Sequence, residues 1–122
     1  MKYTLPDIGV FLRKIRIDNN ETGVEMSKRL GMSKGYISMI ELGKRQMSLK
    51  VKNRFIEEYK LDEKQIIELN RIISKDSDYV KITTNKLSKS KKELIANIGD
   101  ILHKINKEDE NKIKELVYKY IK

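Results

Sequence analysis

Cysteine is absent from this chain of 122 residues, and histidine occurs once. Without cysteine, neither a disulfide framework nor a thiolate zinc site is possible. The single histidine, His103, has only Asp100 on the preceding turn beside it, and we interpret it as solvated or helix-pairing rather than metal-binding. No Ser/His/Asp arrangement or phosphate-cradling glycine-rich loop occurs in the sequence. We therefore expect a protein that is not an enzyme and uses no metal or cofactor.

Long apolar runs are also missing. No stretch approaches the ~18 residues that a membrane span requires. The N-terminus, "MKYTLPDIGVFLRK", lacks the apolar core and small-residue cleavage site of a secretory signal. Together with the absence of cysteine, these features predict a cytoplasmic protein with no membrane contact.

Positive charge is abundant and unevenly placed. The net charge is +9 and the isoelectric point is about 9.6. The window 23–54 holds eight basic and two acidic residues, a difference of +6. A basic balance alone is weak evidence, but such a concentration favours a polyanionic partner.

Capping residues divide the first part of the chain into five predicted helices. Each cap precedes apolar residues at helical spacing, and "TGVE" at 22–25 has the capping-box form. Gly31 suits the left-handed position that ends a helix. The predicted caps are Asp7, Thr22, Ser33, Ser48 and Asp62. We assign residues 1–75 to one helical domain.

After Ser74 the composition becomes polar. We interpret residues 76–89 as a linker, in which Tyr79–Thr84 is the one β-branched cluster and the place where a short extended segment can form. "SKKE" at Ser90 predicts a helix running to about Ile105, and "NKEDE" predicts a last helix. Residues 90–122 would then form a two-helix hairpin, and the whole chain would be all-α.

The second and third predicted helices are separated only by the few residues around "GMS". This connection is too short for an ordinary antiparallel hairpin and suits the tight corner of a helix-turn-helix, whose helices cross at ~90–120°. Ser27, small and midway along the second helix, would let the third approach closely. Ile37 and Ile40 would form the inner face of the third helix.

Here the sequence resembles the Cro and lambda-repressor-like helix-turn-helix regulators, the Xre family. The resemblance covers about residues 8–69 and is carried by "LRKIR" at 12–16 and "TGVEMSKRLGMSKGYISMIELGKR" at 22–45. It implies a five-helix DNA-binding domain whose third helix, Ser33–Glu41, enters the major groove. It also implies an ion pair between Arg16 and Glu41 that links the first helix to the end of the third.

The sequence departs from the family pattern at three places. The family usually has Leu-Thr-Gln before the second helix, whereas this chain has Glu21, Thr22 and Gly23. A phosphate contact there can come only from backbone N–H groups at the helix start. Ser27 replaces the usual alanine, and Met47 a frequent proline. We therefore expect differently placed backbone anchoring at this corner.

The outward face of the third helix carries residue types suited to direct readout. Lys34 can reach guanine or a phosphate, Ser38 several base edges, and Met39 a thymine methyl. Tyr36 can contact a phosphate or pack on a sugar, and Gly35 removes a side chain where backbone and DNA would meet. The expected DNA-binding residues are Thr22, Gly23, Ser33, Lys34, Gly35, Tyr36, Ser38, Met39, Lys44 and Arg45.

Each assignment has a structural alternative. Met39 can fill a gap in the core, and Tyr36 can pack against the fourth helix. Lys34, Lys44 and Arg45 can be an ordinary solvated face. Thr22 can serve as a cap without touching DNA.

The C-terminal helices each carry an apolar stripe but are too small to be stable as a free hairpin. The stripe must meet either the rest of its own chain or the same hairpin of a second chain, and we favour the second. Strand pairing through Tyr79–Thr84 could add to such an interface. The expected dimerisation residues are Leu94, Ile98, Ile101, Leu102, Ile105, Ile113, Leu116, Val117 and Tyr120.

These observations predict a dimeric, sequence-specific regulator that binds a palindromic operator on double-stranded DNA and represses transcription, of the type found in phages and mobile elements. Two other classes remain open. The chain can be an antitoxin whose C-terminal half binds a toxin, or a protein-interaction module that has lost DNA binding. A protein partner such as a toxin or an anti-repressor is not identified by the sequence.

Overall fold

The computed structural model describes residues 5–75 and 77–121, and within these ranges the protein is all-α, with seven helices and no strand. The chain divides into two compact units. The N-terminal unit comprises the described residues up to Tyr79, and the C-terminal unit runs from Val80 to Ile121. The helices are α1 (Asp7–Asp18), α2 (Gly23–Leu30), α3 (Lys34–Glu41), α4 (Leu49–Glu58), α5 (Glu63–Lys75), α6 (Lys89–Ile101) and α7 (Lys107–Tyr118).

Side-chain caps start most of these helices. Thr22 and Glu25 form a reciprocal capping box, and Asp62 and Gln65 exchange the same pair of bonds. Ser33 and Ser48 each accept a bond from the backbone N–H three residues on. Because these bonds satisfy N–H groups that have no partner within the helix, each cap fixes where its helix begins.

The N-terminal unit is built around one apolar core. α3 packs against both α1 and α2, α2 packs on α4, and α1 packs on α5. The core side chains are Leu12, Ile15, Met26, Leu30, Ile37, Ile40, Met47, Val51, Phe55, Tyr59, Leu61 and Leu69. The buried side of α3 thus packs against two helices, α1 and α2.

Some predicted boundaries are wrong. Ser88, not Ser90, caps α6 by accepting a bond from Lys91 N–H at 3.2 Å, so α6 starts at Lys89, one residue before the predicted hairpin. Either serine could accept such a bond, and the helix uses the earlier one. α6 also ends at Ile101 rather than near Ile105, because the chain turns at residues 102–104. Asp7 lies inside α1, after Pro6, rather than capping it.

The C-terminal unit has helices but no core. Neither α6 nor α7 contains a buried residue. Residues 79–84 are assigned no strand. Residues 1–4, 76 and 122, which the predicted domain ranges include, lie outside the described residues. No helix in the described ranges is long and apolar enough to cross a membrane.

Candidate functional site

A tight corner joins α2 to α3. Gly31 takes the left-handed conformation, with φ of +68°, and its N–H donates to the Lys28 carbonyl. Met32 N–H donates to the Ser27 carbonyl at 2.9 Å, which completes a Schellman motif. Ser33 then caps α3 at once. Since only three residues separate the helices, α3 starts in a direction fixed by the end of α2.

Only one face of α3 belongs to the core. Ile37 and Ile40 are fully buried, whereas Lys34, Gly35 and Met39 are exposed. Ser33, which caps the helix, is exposed as well. Met39 has 41% of its surface accessible, so it does not fill a gap in the core.

Tyr36 and Ser38 are half-buried at the edges of the exposed face. The Tyr36 ring packs partly on the core, and the Arg45 guanidinium lies 5.1 Å from its centroid. At that distance the cation is attracted to the ring face. The structure therefore brings Tyr36 and Arg45 together, with Lys44 exposed beside them.

Lys34 crosses from α3 to the start of α2. Its ammonium donates to the Ser38 hydroxyl at 2.9 Å. A Cβ placed on Gly23 would lie 2.9 Å from Lys34 Cε, closer than real contacts allow. A methyl group at Gly23 would therefore displace the flexible end of the Lys34 side chain. A Cβ on Gly35 would meet nothing within 4 Å.

An ion pair holds the far end of α3. Arg16 on α1 donates to the Glu41 carboxylate, and both side chains are nearly buried, at 13% and 12% exposure. Burial lowers the pKa of Arg16 from its ordinary value, although a guanidinium remains charged at neutral pH. Gly9 also contributes, because a Cβ there would collide with the Glu41 carbonyl oxygen. Sequence reasoning missed Gly9, although a glycine inside a predicted helix is a signal of close approach.

A second polar cluster, also missed, ties α2 to α4. Tyr59 donates its hydroxyl to Glu21 at 2.6 Å, and Arg29 pairs with the same carboxylate. Arg29 also donates to the Glu58 carbonyl at 2.7 Å and lies over the Tyr59 ring. Burial, together with the bond to Glu21, raises the pKa of Tyr59 far above its ordinary value. The cluster fixes α2 in place.

The basic residues of window 23–54 divide into two groups. Arg29 belongs to the polar cluster, and Lys52 donates to Asn70 at 2.8 Å, with a pKa lowered by burial. The remaining six are exposed: Lys28, Lys34, Lys44, Arg45, Lys50 and Arg54. Thr22 is exposed and acts as the cap of α2, whereas Gly23 is half-buried under Lys34.

The nine predicted dimerisation residues all lie in the C-terminal unit. Ile98, Ile105 and Ile113 are half-buried and the other six are exposed. Leu102, Ile105 and Tyr120 fall outside the helices.

The chain was compared with protein-family models, with curated proteins and with solved structures, and none of the three comparisons found a match. Among the described residues, no three His, Asp or Glu side chains are grouped so as to hold a metal ion.

Proposed function

We propose that this chain is a cytoplasmic transcriptional regulator with a lambda-repressor-like helix-turn-helix domain, which binds specific sequences of double-stranded DNA as a homodimer and represses by occluding a promoter. The observation that carries the proposal is the exposed face of α3. This face combines Lys34, Gly35, Ser38 and Met39 on a helix whose opposite side is fully enclosed.

The α2–α3 corner supports a helix-turn-helix. In that motif the second helix lies in the major groove, and its N-terminal residues contact base edges. Gly35 lies in the first turn of α3 and has open space in front of it. A groove wall can therefore approach the backbone there without meeting a side chain.

The exposed side chains match base chemistry. Lys34 and Ser38 would act as one unit, because the ammonium already bonds the hydroxyl; together they suit guanine acceptors or a phosphate. Met39 suits a thymine methyl. The alternative that Lys34, Lys44 and Arg45 form an ordinary solvated face is weakened by Met39, a large apolar side chain that is exposed on the same helix as Lys34.

Phosphate contacts would come from both sides of α3. Lys44 and Arg45 follow the helix, and the Tyr36 ring, which Arg45 covers, would orient the guanidinium. At the start of α2, the Thr22 cap takes up Glu25 N–H and leaves the N–H of Gly23 for an anion. Such contacts position a protein on DNA without reading sequence.

The unburied apolar side chains of α6 and α7 support the homodimer. Leu94 on α6 and Leu116 on α7 are more than half exposed, as is Tyr120 just beyond α7, and association of two copies would remove them from water. A two-fold dimer would read two half-sites of an inverted repeat.

Selection of bound duplexes from a random pool tests the proposal. It should recover an inverted repeat with half-sites about one helical turn, ~34 Å, apart.

Lys34→Ala should cost about 1–3 kcal/mol of binding free energy at one position of the site if Lys34 reads guanine, whereas Lys44→Ala should weaken binding to all sequences alike. Lys64→Ala, which removes an exposed lysine on α5, is the matched control and should leave binding unchanged. Absence of any salt-sensitive binding to duplex DNA would contradict the proposal and favour the protein-interaction module.

The exposed apolar side chains of the C-terminal unit also favour a second candidate, an antitoxin that binds its toxin through α6 and α7. Co-purification with a small protein partner, lost on Leu116→Asp, would identify this function. A homodimer that purifies alone and binds an inverted repeat favours the repressor.

A further inference from the structure

Residues 80–84, Val-Lys-Ile-Thr-Thr, have the composition of a β-strand but pair with no other strand within the described residues. Four of the five are β-branched, and β-branched residues favour the extended, pleated backbone. Val80 and Ile82 are 72% and 56% exposed. Among the described residues, no hydrogen bond uses the backbone N–H or C=O of residues 80–83.

Local structure limits this segment on both sides. The chain bends at Asp78, and a turn closed by the bond from Leu87 N–H to the Thr84 carbonyl, 3.0 Å long, follows it. Five residues between two changes of direction match the ordinary length of a strand. An unpaired row of backbone groups in such a segment is a template for pairing with another chain.

We infer that residues 80–84 pair with the same residues of a second copy of this chain, as a two-stranded antiparallel ribbon centred on Ile82. The inference rests on the homodimer proposed above and specifies one of its contacts.

Symmetry and chemistry select the register. In an antiparallel pair related by a two-fold axis, the residue on the axis faces its own copy. Centring on Ile82 pairs Val80 with Thr84 and Lys81 with Thr83, so all five residues are paired. It also places Asp78 of one copy near Lys86 of the other, which have opposite charges.

The neighbouring registers place unfavourable pairs of side chains opposite each other. Centring on Lys81 would oppose two ammonium groups, and directly opposed like charges destabilise a ribbon. Centring on Val80 would face Ile82 with Asp78, and centring on Thr83 would face Val80 with Lys86. In the Ile82 register, the β-branched side chains of Val80, Ile82 and Thr84 from both copies lie on one face, because alternate residues point the same way.

The absence of cysteine makes a direct test possible. Facing residues of an antiparallel pair have Cα atoms about 4.5–5.5 Å apart, within disulfide range. Ile82→Cys should therefore form a symmetric disulfide on mild oxidation of the full-length protein without DNA. Its rate should exceed that of the collision control Lys64→Cys by at least about tenfold, because paired strands raise the effective concentration of the thiols.

Lys81→Cys and Thr83→Cys are the matched controls for register. Each alone places its thiol two residues from its own copy, a Cα separation of roughly 8 Å that a disulfide does not span. A mixture of the two variants should cross-link as heterodimers at a rate similar to Ile82→Cys.

Two results would overturn the inference: an Ile82→Cys rate equal to that of Lys64→Cys, or faster self-cross-linking of Lys81→Cys. Failure of the strand pairing can be distinguished from failure of the proposed function, because the oxidation is measured without DNA. A chain that binds an inverted repeat as a dimer but gives no Ile82 cross-link retains the proposed function and loses only the strand pairing.

Discussion

The two units of the molecule use the same helical signals with different outcomes. In the N-terminal unit, capped helices with apolar stripes enclose a core in which Leu12, Met26 and Phe55 have 1% exposure or less. In the C-terminal unit, α6 and α7 are also capped, by Ser88 and Asn106, yet they contain no buried residue. Caps and apolar stripes therefore mark helices in both units, but only in the N-terminal unit do several helices converge on a core.

Local interactions account for the helices of the C-terminal unit. Within α7, Glu110 pairs with Lys107 at 2.8 Å and with Lys114 at 3.1 Å. Pairs of this kind lie in water, which screens them, so each adds little to the stability of the helix. Isolated helices shorter than about 12–15 residues are marginal in water, and α6 and α7 have 13 and 12 residues, so we expect them to need burial against another surface.

The largest difference between the two units is expected in the free energy of unfolding that is lost when an apolar side chain is truncated. Phe55→Ala should lower the free energy of unfolding by about 3–5 kcal/mol, since it leaves a cavity between packed helices. Leu116→Ala on α7 is the comparison, because its side chain is 59% exposed. Urea unfolding of dilute protein should show little change for Leu116→Ala, and equal losses for the two variants would mean that Leu116 is packed as tightly as Phe55.

The ion pair between Arg16 and Glu41 should have the next largest effect. Glu41→Leu leaves a nearly buried guanidinium unpaired, which should destabilise the N-terminal unit by about 3 kcal/mol. The double variant Arg16→Met with Glu41→Leu should recover most of that loss, because no charge remains without a partner. A double-mutant cycle by chemical denaturation measures the coupling, and additive losses would show that the pair contributes no interaction energy.

The features that could be predicted from the sequence are those set by residues close together in the chain, such as helix starts and the buried face of α3. The starts of α2, α3 and α4 follow from caps that bond only three residues onward, and the burial of Ile37 and Ile40 follows from helical spacing. The choice of Ser88 over Ser90 could not be predicted, because both serines present the same local signal.

Most contacts between distant parts of the chain could not be predicted from local patterns, and the pair between Arg16 and Glu41 was expected only from the family resemblance. Tyr59 bonds Glu21 across 38 positions of sequence, and no periodicity links the two. The position of Lys34 over Gly23 is a similar case, since it depends on how α3 leaves the corner. The residue types on α3 suggested a DNA-facing surface, and helical spacing alone places Lys34 beside Ser38, but only the structure brings Arg45 to Tyr36.

The bond between Tyr59 and Glu21 predicts a pH dependence confined to the N-terminal unit. Tyr59→Phe should cost about 1.5–3 kcal/mol at neutral pH, the value of a bond to a charged group. The pKa of Tyr59 is raised in the folded state, whereas an unfolded tyrosine ionises near pH 10. The stabilisation is therefore fully present below about pH 10 and is lost as the pH rises further.

Thermal unfolding of wild type and Tyr59→Phe from pH 8 to 11 measures this effect, and the phenylalanine variant controls for lysine titration. The difference between the two proteins should shrink above pH 10. A difference that stays constant would mean that the hydroxyl is not held by the carboxylate.

Within the N-terminal unit, the first turns of α2 and α3 each contain a glycine, and the two differ in their surroundings. Gly23 lies against the Lys34 side chain, whereas Gly35 faces open space. Gly35→Ala meets nothing, so it should raise the free energy of unfolding by up to about 1 kcal/mol through helix propensity. Gly23→Ala must displace the end of the Lys34 side chain, so its gain in the free energy of unfolding should be smaller.

Under the proposed function, Gly35→Ala should still weaken DNA binding despite the gain in stability, because the added methyl group faces the groove. Urea unfolding and duplex binding measured on the same preparations separate the two effects, and unchanged affinity in Gly35→Ala would count against close approach of DNA at this turn.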